Sequence, residues 1–305
     1  MKTHKNTGYW ITAWREVLRR PRGVISLAVI LLYLTVTVWV YTGWYTPDWR
    51  TENFDEAYLP PLTAGHWFGT DIYGRDVFAK TIYGTRVAVT VALIAAVLAG
   101  FIGLVLGLLA GYFGGWIDDV ITWMYSTVQS IPYILLILAF AFVLQDKELS
   151  FWSWEFKIRG IKAVYLALGL TGWVGLCRLI RGEVIKHRDR DYVISSRSQG
   201  ASSLRIIFRQ ILPNVFHLVI ITFSLSFIGY IHAEVILSFL GLGVKNVPSW
   251  GVMIDDSKLE LFRGVWWQLA AATGAIFCIS LTLHIFGDTL RDALDPRNNR
   301  NPKSQ

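Results

Sequence analysis

Long apolar stretches alternate with shorter polar segments along the chain. A helix rises about 1.5 Å per residue, so it needs about 20 residues to cross the hydrocarbon core of a membrane. Six stretches come close to or exceed that length, and the pattern predicts six membrane-spanning helices. Their predicted bounds are 23–46, 87–117, 120–145, 163–177 with an extension to 180, 210–244 and 264–287.

Composition supports a membrane environment. Of the 305 residues 17% are charged, whereas about a quarter are charged in soluble proteins, and these charges crowd between the apolar stretches. Many of the 14 tryptophans stand near the ends of those stretches, where indole rings favour the headgroup layer. The expected fold class is therefore an all-α, polytopic bundle of six transmembrane helices.

The pattern also predicts how the chain is organised. The first apolar stretch is long for a signal peptide and has no obvious cleavage site after it, so it should remain as an anchor. We expect this helix to be peripheral and spans two to six to form the core. The predicted segments are 1–22 (cytoplasmic), 23–46 (first span), 47–86 (external segment), 87–289 (core, with a cytoplasmic loop at 182–212) and 290–305 (cytoplasmic tail).

Basic residues predict the orientation. With both termini in the cytoplasm, the inner segments hold 18 of the 29 Lys and Arg residues, and the loop between spans four and five is the densest. Positive charge is enriched on the cytoplasmic side of membrane proteins. The same distribution explains the net charge of +7 without nucleic acid, for which no binding motif is present.

Catalytic and cofactor motifs are missing. The chain has no G-x-x-x-x-G-K-[ST] phosphate loop and no H-E-x-x-H or G-x-S-x-G motif. Its two cysteines lie in apolar stretches without metal-ligand spacing, and its six histidines are scattered. We therefore expect no catalytic residue, bound metal or cofactor in this chain.

The loop at 182–212 is amphipathic. Tyr192, Val193 and Ile194 begin a helical segment, Gly200 interrupts it, and residues 201–203 can cap a second helix. That helix should bury an apolar face and present Arg205 on another face. The face comprises Leu204, Ile206, Ile207, Ile211 and Leu212. Such a loop either anchors the protein to anionic lipid or docks a cytoplasmic partner, and the residues alone favour neither.

A family resemblance favours docking. The spacing of residues 192–202, followed by Ile-Leu-Pro-Asn at 211–214, resembles the cytoplasmic loop of bacterial binding-protein-dependent ABC importer permeases. There the loop forms coupling helices that fit a cleft in the ATPase subunit. The family pattern starts with Glu-Ala-Ala, whereas this chain has Ile194-Ser195-Ser196. The matching candidates for ATPase coupling are Tyr192, Val193, Ser195, Ser196, Gly200, Ala201, Ser202, Arg205 and Pro213.

Three further segments resemble one branch of that family, the second permease of dipeptide, oligopeptide and nickel importers. They lie at 66–87, 237–251 and 287–297, in the same order as in the branch. The resemblance implies a type I ABC importer permease fold in the bacterial inner membrane. It also implies a homologous second permease, two ATPase subunits that bind ATP and magnesium, and a periplasmic solute-binding protein. Peptides or nickel chelates are the implied solutes; the alternative is a secondary transporter or another polytopic membrane protein without an ATPase.

Two candidate sites remain outside the loop. The external turn holds Gly69, Thr70, Asp71, Gly74, Arg75 and Asp76. We expect it to be a hydrogen-bonded cap that orients span two rather than a solute contact. Late in span five Glu234, with His232 and Ser238, is either a gate group in the solute path or a structural charge. Both interpretations of Glu234 stay open.

Overall fold

A computed structural model describes residues 9–45, 47–151, 154–158, 160–244 and 246–294. These residues form twelve α-helices and one short antiparallel sheet of two strands, β1 and β2. The helices are α1 (Tyr9–Arg19), α2 (Pro21–Thr42), α3 (Val77–Phe113), α4 (Gly115–Gln129), α5 (Tyr133–Leu144), α6 (Ile161–Thr171), α7 (Val174–Arg188), α8 (Asp191–Ser198), α9 (Ser203–Ile206), α10 (Leu212–Phe239), α11 (Trp250–Leu261) and α12 (Trp267–Leu294). The strands are β1 (Lys147–Phe151) and β2 (Trp154–Ile158), and a 3-10 turn (Phe54–Glu56) and a π-turn (Ile207–Ile211) complete the described elements.

The described residues contain five helical stretches long and apolar enough to cross a membrane, at Pro21–Thr42, Val77–Phe113, Ile161–Arg188, Ser203–Phe239 and Trp267–Ala293. Helices α4 and α5 together form a sixth when counted as one span, although they meet at an angle of 94°. The predicted all-α membrane bundle is thus confirmed. The two-stranded sheet of β1 and β2 is an addition that the sequence analysis did not predict.

The structure departs from the sequence prediction in three features of the helices, besides smaller shifts of the span ends. Helix α3 begins at Val77, ten residues before the predicted span, because the Asp76 carboxylate caps it by accepting the Phe78 N–H at 2.8 Å. The predicted third span is bent. The second helix of the 182–212 loop runs into α10 through the π-turn, so Pro213 lies in the first turn of α10, where a missing N–H is tolerated.

Helix α3 is the centre of the bundle and packs against α7, α10, α6 and α2. Gly103, Gly107 and Gly111 form a stripe along α3 that faces α7. A Cβ atom at any of them would lie within 2.8 Å of an α7 atom or of the Trp173 carbonyl just before it. Small residues at this spacing let two helix backbones approach closely in a membrane. The stripe therefore fixes α7, and with it the loop that follows α7, against α3.

The chain ends lie partly outside the described residues. Of the predicted segment 1–22 the structure describes residues from Tyr9, and of the predicted tail 290–305 it describes residues up to Leu294. Arg20 donates to the Asp292 carboxylate at 2.8 Å, so the start of α2 and the end of α12 lie together.

Candidate functional site

A cavity of about 460 Å³ lies where two of the membrane spans are interrupted. One interruption is the Ser130–Pro132 turn between α4 and α5, and the other is Gly172 and Trp173 between α6 and α7. Helix α10 forms the third wall through Ser226, Gly229 and Tyr230. Non-helical backbone at membrane depth is tolerated only where protein buries it or where it lines a wet cavity.

The cavity wall offers hydrogen-bonding groups without charge. Among the described lining residues the polar side chains are those of Gln129, Tyr133, Thr171, Ser226 and Tyr230, and none is ionisable near neutral pH. The Tyr230 hydroxyl donates to the Gly172 carbonyl at 3.4 Å, which ties α10 to the α6–α7 interruption. Such a wall suits a polar solute that is held through hydrogen bonds.

Sequence reasoning missed this cavity. The usable signal was Ser-Ile-Pro at 130–132 inside an otherwise apolar stretch, because proline removes a backbone donor and disfavours a helical residue before it. Gly172 in the middle of the fourth span was a second, weaker signal. Neither residue type shows by itself that two interruptions meet at one place.

The segment 191–211, here called the hairpin, has the predicted helix-turn-helix shape. Gly200 has φ +82°, a left-handed conformation that ends α8, and the Ala201 N–H donates to the Ser196 carbonyl across the turn. The Ser202 hydroxyl then caps α9 by accepting the Arg205 N–H at 3.4 Å. The turn and the helix cap thus depend only on residues that are close to each other in the sequence.

The hairpin is anchored to the ends of the membrane helices. Val193 and Ile206 are fully buried and join a separate apolar cluster with Tyr112 of α3 and Ile180 and Val184 of α7. Arg197 also stacks over the Tyr112 ring of that cluster, 5.6 Å from its centre, and Arg188 at the end of α7 donates to the Gly111 carbonyl of α3. A displacement of the hairpin must therefore move α3 and α7 with it.

The opposite side of the hairpin is exposed. Tyr192, Ile194, Leu204 and Phe208 are apolar side chains that are at least 39% exposed there. Arg205, Arg209 and Pro213 are exposed as well. Ser195 is also exposed and accepts the Gln199 side-chain amide, whereas Ser196 is half-buried and accepts the Gln210 side-chain amide. Leu204 thus departs from the predicted buried face, of which Ile206, Ile207 and Ile211 are buried and Leu212 is half-buried. The hairpin therefore presents an exposed apolar and basic patch, and its use for docking a partner stays a prediction.

The external turn lies at the other end of α3. The Thr70 hydroxyl donates to the Glu56 carbonyl at 2.5 Å and accepts the Leu59 N–H at 2.8 Å. Gly74 has φ +69°, and a Cβ there would collide with the Asn53 carbonyl; a Cβ at Gly69 would meet the Leu59 carbonyl at 2.4 Å. Both glycines are therefore required by close backbone approach.

Asp71 is the hub of the external turn. Its carboxylate accepts the backbone N–H groups of Tyr73 and Arg75, the Arg75 guanidinium at 2.8 Å and the Lys80 ammonium at 2.9 Å. Burial by itself disfavours the charged carboxylate, but Lys80 and Arg75 outweigh it and hold the pKa of Asp71 below its usual value. The same ammonium donates to Gln268 of α12 at 2.6 Å. The turn therefore joins the starts of α3 and α12.

Glu260 of α11 completes this network. One carboxylate oxygen accepts the Ile72 N–H at 3.1 Å, and the other has no hydrogen-bond partner among the described residues. Burial raises the pKa of Glu260 to about 7, although the Ile72 N–H and Lys80 act in the opposite direction. No sequence signal pointed to Glu260, since it follows Asp71 by almost two hundred residues.

Glu234 is fully buried, and its carboxylate accepts the Ser238 hydroxyl at 2.6 Å. The loop between α10 and α11 closes over this pair, since a Cβ at Gly243 or Gly251 would overlap Ser238. His232, by contrast, is exposed and pairs with Ser280 of α12 at 3.0 Å. Glu234 and Ser238 thus lie together in the packed interior and His232 does not join them, and both the gating and the structural interpretation of Glu234 stay predictions.

Comparison with known proteins gives one consistent family. The profile described as "binding-protein-dependent transport system inner membrane component" matches residues 103–300. The dipeptide transport system permease protein DppC of Bacillus subtilis is 36% identical over 96% of this chain and 87% of its own length. The oligopeptide transport system permease protein OppC of the same species is 30% identical, over 94% and 90%.

A third relative is the glutathione transport system permease protein GsiD of Pectobacterium atrosepticum, 31% identical over 94% of this chain and 91% of its own length. Among solved structures, an inward-facing MetNI methionine ABC transporter chain superposes with a TM-score of 0.53. The match covers 71% of this chain and 96% of the other at 14% identity, so it shows the fold alone.

Proposed function

Because this chain belongs to the family of binding-protein-dependent transport system inner membrane components, we propose that it is the permease subunit through which an ATP-driven importer passes peptides or related small solutes. Three permeases similar to it over most of its length carry names for dipeptide, oligopeptide and glutathione transport. All three names denote molecules with peptide bonds, which present amide donors and acceptors. The uncharged, hydrogen-bonding cavity at the helix interruptions suits that chemistry.

The cavity is proposed as this subunit's half of the solute path. It is open on one side, and a homologous permease would close it. The α4–α5 and α6–α7 interruptions bring non-helical backbone beside the cavity at membrane depth, as interrupted helices do in other transporters. Interrupted helices therefore do not by themselves separate an ATP-driven importer from a secondary transporter.

The hairpin is the observation that carries the ATP-driven proposal. It presents exposed apolar and basic side chains, yet its buried side is continuous with α3 and α7. Two separate ATPase subunits, which supply the ATP and magnesium sites, would dock there and in the partner permease. Closure of the ATPase pair on ATP would draw the two hairpins together and turn the cavity outward, and hydrolysis would reset it. The loss of the family carboxylate at Ile194 gives this contact an apolar character.

The proposal places the hairpin, the start of α2 and the end of α12 in the cytoplasm. The external turn then faces the periplasm and the solute-binding protein. Packing supports this arrangement, because the Lys80–Gln268 contact puts the starts of α3 and α12 together at one end of the bundle. The Arg20–Asp292 and Arg197–Tyr112 contacts lie near the opposite ends of α12 and α3.

Co-purification is the direct test. The tagged chain should retain a homologous permease and nucleotide-hydrolysing subunits in mild detergent, and peptide uptake into reconstituted vesicles should require ATP and the binding protein. Uptake driven by an ion gradient, without any ATPase subunit, would establish the secondary-transporter alternative. Recovery of the chain without a nucleotide-hydrolysing companion would count against the proposal.

A further inference from the structure

A second, apolar groove of about 640 Å³ lies between α2, the start of α3 and α12, away from the cavity just described. Pro61 and Phe68 of the external segment and Trp266 and Trp267 close its outer end. Its sides are formed by Val29, Leu32, Tyr33 and Val36 of α2, Phe78, Thr81, Ile82 and Thr85 of α3, and Ala270, Ala271, Gly274, Ala275 and Cys278 of α12.

The three hydroxyl groups of the described groove wall, on Tyr33, Thr81 and Thr85, and the Trp267 indole are already hydrogen-bonded to backbone carbonyls. The Thr81 hydroxyl donates to the Val77 carbonyl at 2.8 Å, and the Tyr33 hydroxyl donates to the Ala275 carbonyl at 3.1 Å. The Trp267 indole N–H donates to the Thr70 carbonyl at 2.8 Å. A buried water needs two to four polar partners, and apolar cavities stay dry or take apolar ligands. The wall therefore selects an apolar occupant.

Position and length indicate which occupant fits. Along α12 the groove extends from Trp267 to Cys278, about 16 Å at 1.5 Å per residue. The hydrocarbon core of a bilayer is about 30 Å thick, so one leaflet is about half of that. Leu32 is 60% exposed and Cys278 is also exposed, so the groove is continuous with the surface that the spans present to lipid.

We propose that this groove is a lipid site that binds one acyl chain of a phospholipid from the leaflet next to the external segment. The acyl chain would pack between peripheral α2 and the α3–α12 core. Those helices already touch through the Tyr33–Ala275 bond, so the lipid fills space beside this contact rather than replacing it. The site is independent of the solute path and of the hairpin.

Gly274 offers a sharp test. It lies midway along the groove, and a Cβ there would meet no atom within 4 Å, so a Phe side chain would enter the groove without a backbone clash. Thr273 is the matched control, since it is exposed on the same helix and outside the groove wall. The full chain and any subunits bound to it are purified as wild type, Gly274→Phe and Thr273→Phe. Thermal unfolding confirms that all three are folded.

Native mass spectrometry after detergent delipidation counts the retained phospholipid. We expect about one more phospholipid per chain in wild type and Thr273→Phe than in Gly274→Phe. In nanodiscs, a phospholipid with an acyl-chain diazirine should crosslink to residues 29–36 and 270–278, and Gly274→Phe should remove these crosslinks. Equal retention in all three proteins would overturn the proposal. Equal crosslinking of the groove and of lipid-facing Phe101, or absence of lipid crosslinks in the wild-type groove because another protein chain covers it, would also overturn it.

Discussion

Lys80 Nζ lies 2.9 Å from Asp71 Oδ2, and both side chains are almost completely buried at the end of the bundle where α3 and α12 begin. Removing two charges from water costs several kcal/mol for each ion unless geometry and further hydrogen bonds compensate. Here the Asp71 carboxylate also accepts hydrogen bonds from the Arg75 guanidinium and two backbone N–H groups, and the Lys80 ammonium also donates to Gln268. The pair therefore fixes the external turn and the starts of α3 and α12 in one arrangement.

Replacing Lys80 with Met should lower the free energy of unfolding by about 3–5 kcal/mol, because Asp71 would remain buried with only part of its compensation. Thermal or denaturant unfolding of the purified protein in detergent measures the loss. Lys258→Met is the control, since Lys258 pairs with Asp255 at the surface and should change stability by less than about 1 kcal/mol. Equal effects of the two substitutions would show that the buried pair does not stabilise the turn.

Glu260 makes stability depend on pH. Burial raises its pKa to about 7 in the folded protein, whereas the ordinary value is 4.5. The folded state therefore binds a proton that the unfolded state releases, and the contribution of Glu260 to stability is lost as the pH rises from about 4.5 to about 7. Unfolding temperatures measured between pH 5 and pH 8 should fall less steeply in Glu260→Gln than in wild type.

The corresponding loss in the free energy of unfolding that Glu260 causes is at most about 3 kcal/mol. The exposed Glu52 provides the control, and Glu52→Gln should leave the pH profile unchanged. An identical slope in Glu260→Gln and wild type would mean that Glu260 does not titrate in this range.

Local sequence signals predicted the elements that depend on neighbouring residues. The apolar stretches indicated the spans, and Gly200 with Ser202 indicated the turn and cap of the hairpin, because each depends on a few consecutive residues. Local sequence signals could not predict contacts between residues that are distant in the sequence. Lys80 contacts Gln268 and Ile72 contacts Glu260, and the partners in each pair are 188 positions apart. The cavity was missed for the same reason, since two helix interruptions form it only when they are packed together.

Gly200 tests the hairpin. Its φ of +82° costs most residues about 1–2 kcal/mol, although a Cβ at this position would meet no atom within 4 Å. Gly200→Val should distort the turn and reduce the coupling of ATP hydrolysis to uptake while the spans stay folded. Gly200→Asn is the control, because asparagine tolerates the left-handed region, and it should keep most of the coupling. Undiminished uptake per ATP in reconstituted Gly200→Val would refute the proposed role of the turn.

Gly229 tests the solute path. It faces the cavity from α10, and a Cβ there would meet no atom within 4 Å, so Gly229→Trp should fold and yet fill the space between the helix interruptions. Because the indole would occupy the position of the solute, we expect peptide uptake to fall at least about tenfold, equivalent to about 1.4 kcal/mol in the barrier. Assembly with the ATPase subunits should be unchanged, since Gly229 is far along the chain from the hairpin contacts. Gly229→Ala adds only a methyl group and should transport normally. Wild-type uptake by an assembled Gly229→Trp complex would place the path elsewhere, because a solute cannot pass through a cavity that a fixed side chain already fills.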